Sequence, residues 1–177
     1  MIQGLSMQMV DTGRATVGDL LAVAVQLEDA ARHLYEGLDR MFSHFPDVAA
    51  FWRRFAVDEV FHAKRLIELR ASTSLKRLSQ AVDASMLEAG RKLLGVAVED
   101  RLRNVHHLDD AYEMAHELEN SETNAIFRFL ITQFSQDKHV VASLMRDLDD
   151  HVERLMTGLP VPYATRAARR DVTAQHA

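Results

Sequence analysis

Glu28, Glu59, His62, Glu119, Glu122 and His151 are polar residues at positions where a helical pattern calls for apolar ones. Glu28 stands seven residues from both Leu21 and Tyr35 and shares their face. Glu59 and His62 fall between Phe55 and Leu66. Glu119 lies beside Leu118, Glu122 lies seven before Phe129, and His151 lies between Leu148 and Leu155. Four carboxylates meeting in one core would repel, and an unpaired charge in a low-dielectric interior costs roughly several kcal/mol. Protonation relieves this conflict, and two divalent cations relieve it more fully. Four carboxylates and two neutral imidazoles balance two such ions, and the oxygen and nitrogen donors suit iron, manganese or zinc. The three-residue spacing of Glu59 and His62 lets both reach one metal pair from a single helix. Taken singly, each glutamate reads as solvated and each histidine as a hydrogen-bonded core residue. Together they share one level on four inner faces.

Long helices must carry these groups. Thr16, with Asp19 three positions on, marks a helix start, and apolar residues then recur at helical spacing, predicting a first helix over 17–43. His44-Phe45-Pro46-Asp47 interrupts it, with Pro46 suited to the entry of a second helix over 47–70. The stretch 71–107 reads as a crossover with short helices near 75–82 and 85–98, weakened by Gly90 and Gly95. A third helix is predicted over 108–133 and a fourth over 135–157, with Ser135 as its cap. Gly158, Pro160 and Pro162 end the fourth. Residues 1–15 form an N-terminal segment, 16–158 the bundle, and 159–177 a basic segment expected to be a flexible tail. The chain repeats itself: Gln26-Leu27-Glu28-Asp29 matches Glu117-Leu118-Glu119-Asn120, and His62-Ala63-Lys64-Arg65-Leu66 matches His151-Val152-Glu153-Arg154-Leu155. The repeat predicts an all-α fold: two helical hairpins in one four-helix bundle, joined by the long crossover.

Composition narrows the function. The 177 residues include no cysteine, which excludes disulfides, thiolate-bound clusters and a cysteine nucleophile. Seven glycines and three prolines argue against a turn-rich β-fold. A formal net charge of −5 offers no bulk attraction to nucleic acid or anionic membrane. No apolar run is long enough to span a bilayer, and the first residues lack the order of a signal peptide, so the expected location is cytoplasmic.

The segments Leu27-Glu28-Asp29 with Tyr35, Asp58-Glu59-Val60-Phe61-His62-Ala63-Lys64-Arg65-Leu66 and Glu119-Asn120-Ser121-Glu122 resemble the ferritin-like superfamily, most closely its rubrerythrin-like branch without a rubredoxin domain. The resemblance covers about residues 17–157. It implies a ferritin-like four-helix bundle holding two iron ions, with manganese or zinc as alternatives. It implies Glu28 as a terminal ligand, Glu59 as a bridging one, Glu119 as the counterpart of Glu28, and His62 and His151 on one iron each. Glu122 would be the extra, exchangeable carboxylate and Tyr35 a neighbour of the ligands; these two are the candidate catalytic residues. The fourth helix departs from the pattern. Leu148 stands where the family has a bridging glutamate, leaving Asp147 or Asp150 to reach inward and the second metal position short of one ligand. The implied activity is peroxide reduction or Fe(II) oxidation, with a small oxidant and an external electron donor as partners, in a homodimer. Two alternatives stand beside it. One is a non-catalytic or vestigial metal-binding bundle. The other is a metal-free helical interaction module whose core glutamates are protonated or pair with Arg32, Arg65 or Arg154.

Overall fold

A computed structural model describes residues 14–135 and 138–176, apart from the side chains of Glu122, Thr123 and Val140. The capping signal at Thr16 operates as read. Its hydroxyl accepts from the Asp19 amide and the Asp19 carboxylate accepts from the Thr16 amide, at 3.2 and 3.1 Å, opening α1 (Val17–Met41). Pro46 stands at the first position of α2 (Pro46–Ser72), where its missing N–H is no loss. These two helices pack along their lengths as the first hairpin.

The crossover contains α3 (Leu75–Leu78), α4 (Ala84–Leu94) and α5 (Val98–Leu102). Gly90 does not weaken it. A Cβ there would stand 2.7 Å from Val23 Cγ1, so its lack of a side chain lets α4 lie close against α1.

The third predicted helix is two helices. α6 (Leu108–Glu119) stops and α7 (Glu122–Phe134) begins after Asn120 and Ser121. The Asn120 side chain turns back to the His116 carbonyl (2.8 Å), which also accepts from the Asn120 backbone N–H (3.2 Å), and so caps the last turn of α6. The Ser121 backbone N–H bonds the Leu118 carbonyl across a tighter turn, and the Asn124 side-chain NH₂ donates to the Glu119 carbonyl. α8 (Lys138–Thr157) completes the bundle. Residues 1–13, Gln136 and Asp137 lie outside the described residues.

The segment after α8 is docked, contrary to the expectation of a flexible tail. A 3-10 turn at Val161–Tyr163 leads to α9 (Arg166–Arg170). The chain then bonds back along the start of α6 through Leu108 to Val172 (2.8 Å) and Ala174 to His106 (2.9 Å). Asp109, 3% exposed, accepts from Arg166 and Arg169 at 2.9 and 3.0 Å, with Arg170 at 3.5 Å, and the Arg169 guanidinium lies 4.2 Å from the Tyr112 ring centroid. Three arginines around one buried carboxylate supply what the segment lacks in apolar content.

The interior forms two apolar clusters. One is built around Leu20, Leu66, Ile126, Phe127 and Leu148, the other around Leu38, Trp52, Phe55, Leu108 and Leu155. A polar layer falls between them.

Candidate metal centre

That layer is Glu28, Glu59, His62, Glu119 and His151, the last with no exposed surface. α1 supplies Glu28, with Leu27 in one apolar cluster and Ala31 in the other. α2 supplies Glu59 and His62, one turn apart. α6 ends on Glu119, and α8 supplies His151. The five form two groups that share Glu59: Glu28, Glu59 and His62, and Glu59, Glu119 and His151. Within each, the donor atoms lie within 4.8 Å of one another.

Glu59 turns a different oxygen to each group. Its Oε2 is 2.9 Å from His62 Nδ1, and its Oε1 is 3.3 Å from His151 Nε2. Glu28 Oε2 stands 3.7 Å from His62 Nδ1, and Glu119 Oε1 stands 3.0 Å from His151 Nε2. The two imidazole centroids are 5.4 Å apart. Donors about 2.1 Å from a common cation and at right angles are about 3.0 Å apart, so each group fits either a direct hydrogen bond or a shared metal ion.

Glu119 is held from two further sides. Tyr35 donates its hydroxyl to Glu119 Oε1 (2.5 Å), and the Asn124 amide donates to Glu119 Oε2 (3.0 Å). His151 Nδ1 makes no well-aligned hydrogen bond but lies 3.4 Å from Asp58 Oδ2, which Arg154 holds at 2.7 Å. A carboxylate behind a ligating histidine fixes its ring and tautomer. Asp58 and Asn124 are the residues that sequence reasoning missed as parts of the site. The signal for Asp58 was its place directly before Glu59, with an arginine three residues after His151.

Without metal, protons keep the peace. Burial pushes the Glu28 carboxyl up to about 8, against the lowering pull of His62. Burial pushes Glu59 the same way, but hydrogen bonds to His151 and His62 prevail and hold it below the ordinary carboxylate range. Burial would lower both imidazoles. Glu28 and Glu59 instead raise His62 to about 10, and Asp58, Glu119 and Glu59 raise His151 to about 11. Burial, then the charge of Glu119, carries Tyr35 well above its usual value. Among the described residues no arginine or lysine reaches Glu28, Glu59 or Glu119. Arg32 pairs with Asp29 and Glu36, Arg65 with Glu68, and Arg154 with Asp58. The salt-bridged alternative for the core glutamates therefore finds no partner here.

Other candidates fall elsewhere. Asp147 and Asp150 are exposed and belong to neither group, while Leu148 is buried in an apolar cluster. A helix that buries Leu148 turns its neighbours Asp147 and Asp149 away. His139 is exposed. Glu122 opens α7, and its side chain lies outside the described residues. A cleft of about 650 Å³ opens between α2 and α8, with His62 in its wall and Asp58, Asp147, Asp150 and Arg154 around it.

No family model and no curated protein matches the chain by sequence. Among solved structures, a Thermotoga maritima protein assigned as a ferritin-like diiron-carboxylate protein superposes with a TM-score of 0.57 at 17% identity, over 80% of this chain and 93% of that one. The fold is ferritin-like. Among the described residues no helix is long and apolar enough to cross a membrane.

Proposed function

We propose that the chain holds a carboxylate-bridged pair of metal ions, iron first among them, and acts on a small oxidant as a rubrerythrin-like peroxide reductase or an Fe(II) oxidase. The observation that carries this reading is Glu59, whose two oxygens address two separate Glu/His groups. The donor set fits: three carboxylates and two imidazoles in one buried layer suit two divalent ions of the iron type. The assignment of the Thermotoga protein as a diiron-carboxylate protein supports it. A bound pair of redox-active ions supplies two electrons, one from each, to a small oxidant.

The residues have distinct tasks in this reading. Glu28 and His62 hold one position, Glu119 and His151 the other, and Glu59 sets the distance between them. Glu122 is the further carboxylate, three residues after Glu119. Tyr35 and Asn124 fix the pose of Glu119, with Tyr35 also presenting a hydroxyl proton at that carboxylate. Asp58 orients His151 through Nδ1. The apolar clusters on both sides keep bulk water out, and the α2–α8 cleft gives a small oxidant a path toward His62. In peroxide reduction an external donor would restore the two electrons, and in Fe(II) oxidation the substrate iron would supply them.

Leu148 favours a second reading, a metal-binding bundle without turnover, because an aliphatic side chain stands where a second bridge would be. Elemental analysis of iron-loaded protein, followed by peroxide-consumption and Fe(II)-oxidation assays, separates the two. Two irons per chain with either turnover supports the oxidoreductase. Bound metal with neither turnover supports the second reading, and failure to bind metal removes both.

A further inference from the structure

A second hollow lies between α1, α6 and the α4–α5 stretch of the crossover, elements that take no part in the α2–α8 cleft. Its volume is about 20 Å³, room for one molecule the size of water. Leu27, Ala31 and Leu118 line it and are chain neighbours of the carboxylates of the centre. Leu27 directly precedes Glu28, Ala31 follows Glu28 by one helical turn, and Leu118 directly precedes Glu119. Ala30 and Ala31 contribute only a methyl group each to the wall. Leu93, Val96, Arg101 and Leu118 also border a wider cleft of about 440 Å³, so the hollow opens outward through it, with Val96, 48% exposed, at the mouth. Among the described lining residues Arg101 carries the only polar side chain, and its guanidinium donates to the Leu93 carbonyl (3.2 Å).

We propose that this hollow binds one molecule of a small apolar gas, and that dioxygen reaches the Glu28–Glu119 side of the centre through it. Size and lining select the occupant. A water molecule inside a protein makes about three hydrogen bonds, which an aliphatic wall does not offer, and hollows of that kind take apolar guests. Hydrogen peroxide shares water's need and would enter with its hydrogen bonds unmade. Dioxygen has none to lose, and moving it from water to an apolar wall is favourable. The α2–α8 cleft, bordered by Asp58, Arg65, Asp147, Asp150 and Arg154, is the route for charged and hydrogen-bonding solutes. Polar and apolar reactants thus approach the centre from different sides. The choice of dioxygen as the oxidant rests on the oxidoreductase reading above; the gas site itself does not.

Xenon is the probe for the site. A xenon NMR titration of the metal-free full chain should show saturable binding that shifts the Ala30 and Ala31 methyl signals. Ala30→Leu fills the hollow and is expected to lower xenon affinity about tenfold, with far-ultraviolet circular dichroism and metal content unchanged. Val96→Trp, at the exposed mouth, leaves the packed wall intact and should slow xenon exchange. In iron-loaded protein, Ala30→Leu should slow Fe(II) oxidation by dioxygen and leave oxidation by peroxide at the wild-type rate. A folded chain that takes up no xenon would overturn the gas site. So would uptake that neither Ala30→Leu nor Val96→Trp alters. If Ala30→Leu loses xenon while oxidation by dioxygen keeps the wild-type rate, or slows equally with peroxide, the hollow is not the dioxygen route. A chain that binds xenon as expected but no metal would remove the oxidoreductase reading, and the dioxygen route with it, and would uphold the gas site.

Discussion

Among the described residues two places bury carboxylates, and they answer the charge in opposite ways. Asp109, at the start of α6, is met by Arg166, Arg169 and Arg170, cations that keep their protons at any ordinary pH. Glu28, Glu59 and Glu119 are met by His62 and His151, cations that can give theirs up. The first arrangement is finished: charge is balanced, and the outcome is a docked C-terminal segment. The second is provisional. Its imidazoles balance the glutamates only while protonated, and the same nitrogens become ligands when a metal displaces the protons. The kind of cation opposite a buried carboxylate thus separates a structural clamp from a site.

The comparison can be broken most directly by removing the shared carboxylate. Glu59→Ala takes a donor from both groups at once, so elemental analysis should find metal lost from both positions, and iron-dependent turnover should disappear. A folded variant that kept both metals would deny Glu59 its central place. Asp109→Ala is the matching cut on the other side. Loss of its charge-assisted hydrogen bonds should cost about 2 kcal/mol and lower the melting temperature by ~4–8 °C, with metal content unchanged. If metal content fell too, the clamp and the centre would be one cooperative unit.

Acid should also take the two apart in order. Despite burial, the hydrogen bonds of Arg166 and Arg169 hold the Asp109 carboxyl below its ordinary value. Its contribution to stability is therefore complete above about pH 4 and is lost only as pH falls through the depressed value. At the centre the raised imidazoles act the other way. In metal-free protein their contribution is complete below about pH 6.5 and is lost as pH rises through about 10 for His62 and about 11 for His151. Protons therefore compete with metal, affinity rises with pH, and binding releases protons. Calorimetry in buffers of different ionisation enthalpy should detect that release. On acidification, metal should leave before the C-terminal segment undocks, and the reverse order would contradict the contrast. Smaller effects sharpen it. Asp58→Asn should weaken metal binding at the His151 position about tenfold, and no change in a binding isotherm would make Asp58 a mere partner of Arg154. Arg170→Ala, at the longest and most exposed contact of the clamp, should leave thermal melting within experimental scatter.

The sequence carried the four long bundle positions and the five buried polar residues because both are periodic. Glu28, Glu59, His62, Glu119 and His151 repeat the helical spacing of the apolar residues around them, and the two half-chains echo each other. The break between α6 and α7 left no such trace. Asparagine and serine are tolerated inside helices, and only the bonds from Asn120 to His116 and from Asn124 to Glu119 decide otherwise. The docked C-terminal segment was hidden for a different reason. Its apolar residues are few, and its attachment depends on Asp109, which at a helix start looks like an ordinary first-turn acid. The one local sign was Arg166-Ala167-Ala168-Arg169-Arg170 behind a Thr165 cap, a basic turn with an acidic helix start to meet. Leu148 was legible as a departure, but the outward placement of Asp147 became clear only once the helix was fixed in rotation by its packing.

The interruption at Asn120–Ser121 gives the wall of the centre a seam. An unbroken helix would tie Glu119 to the whole span down to Phe134, and any local opening would carry both ends. Here α7 can loosen while α6 stays clamped at Asp109, so amide hydrogens on the two sides of the seam are free to exchange at different rates. Such an opening would give up the Asn124 bonds that cross the seam and leave Tyr35 of α1 to hold the Glu119 carboxylate, so the seam joins the looseness of one helix to the pose of a single buried side chain.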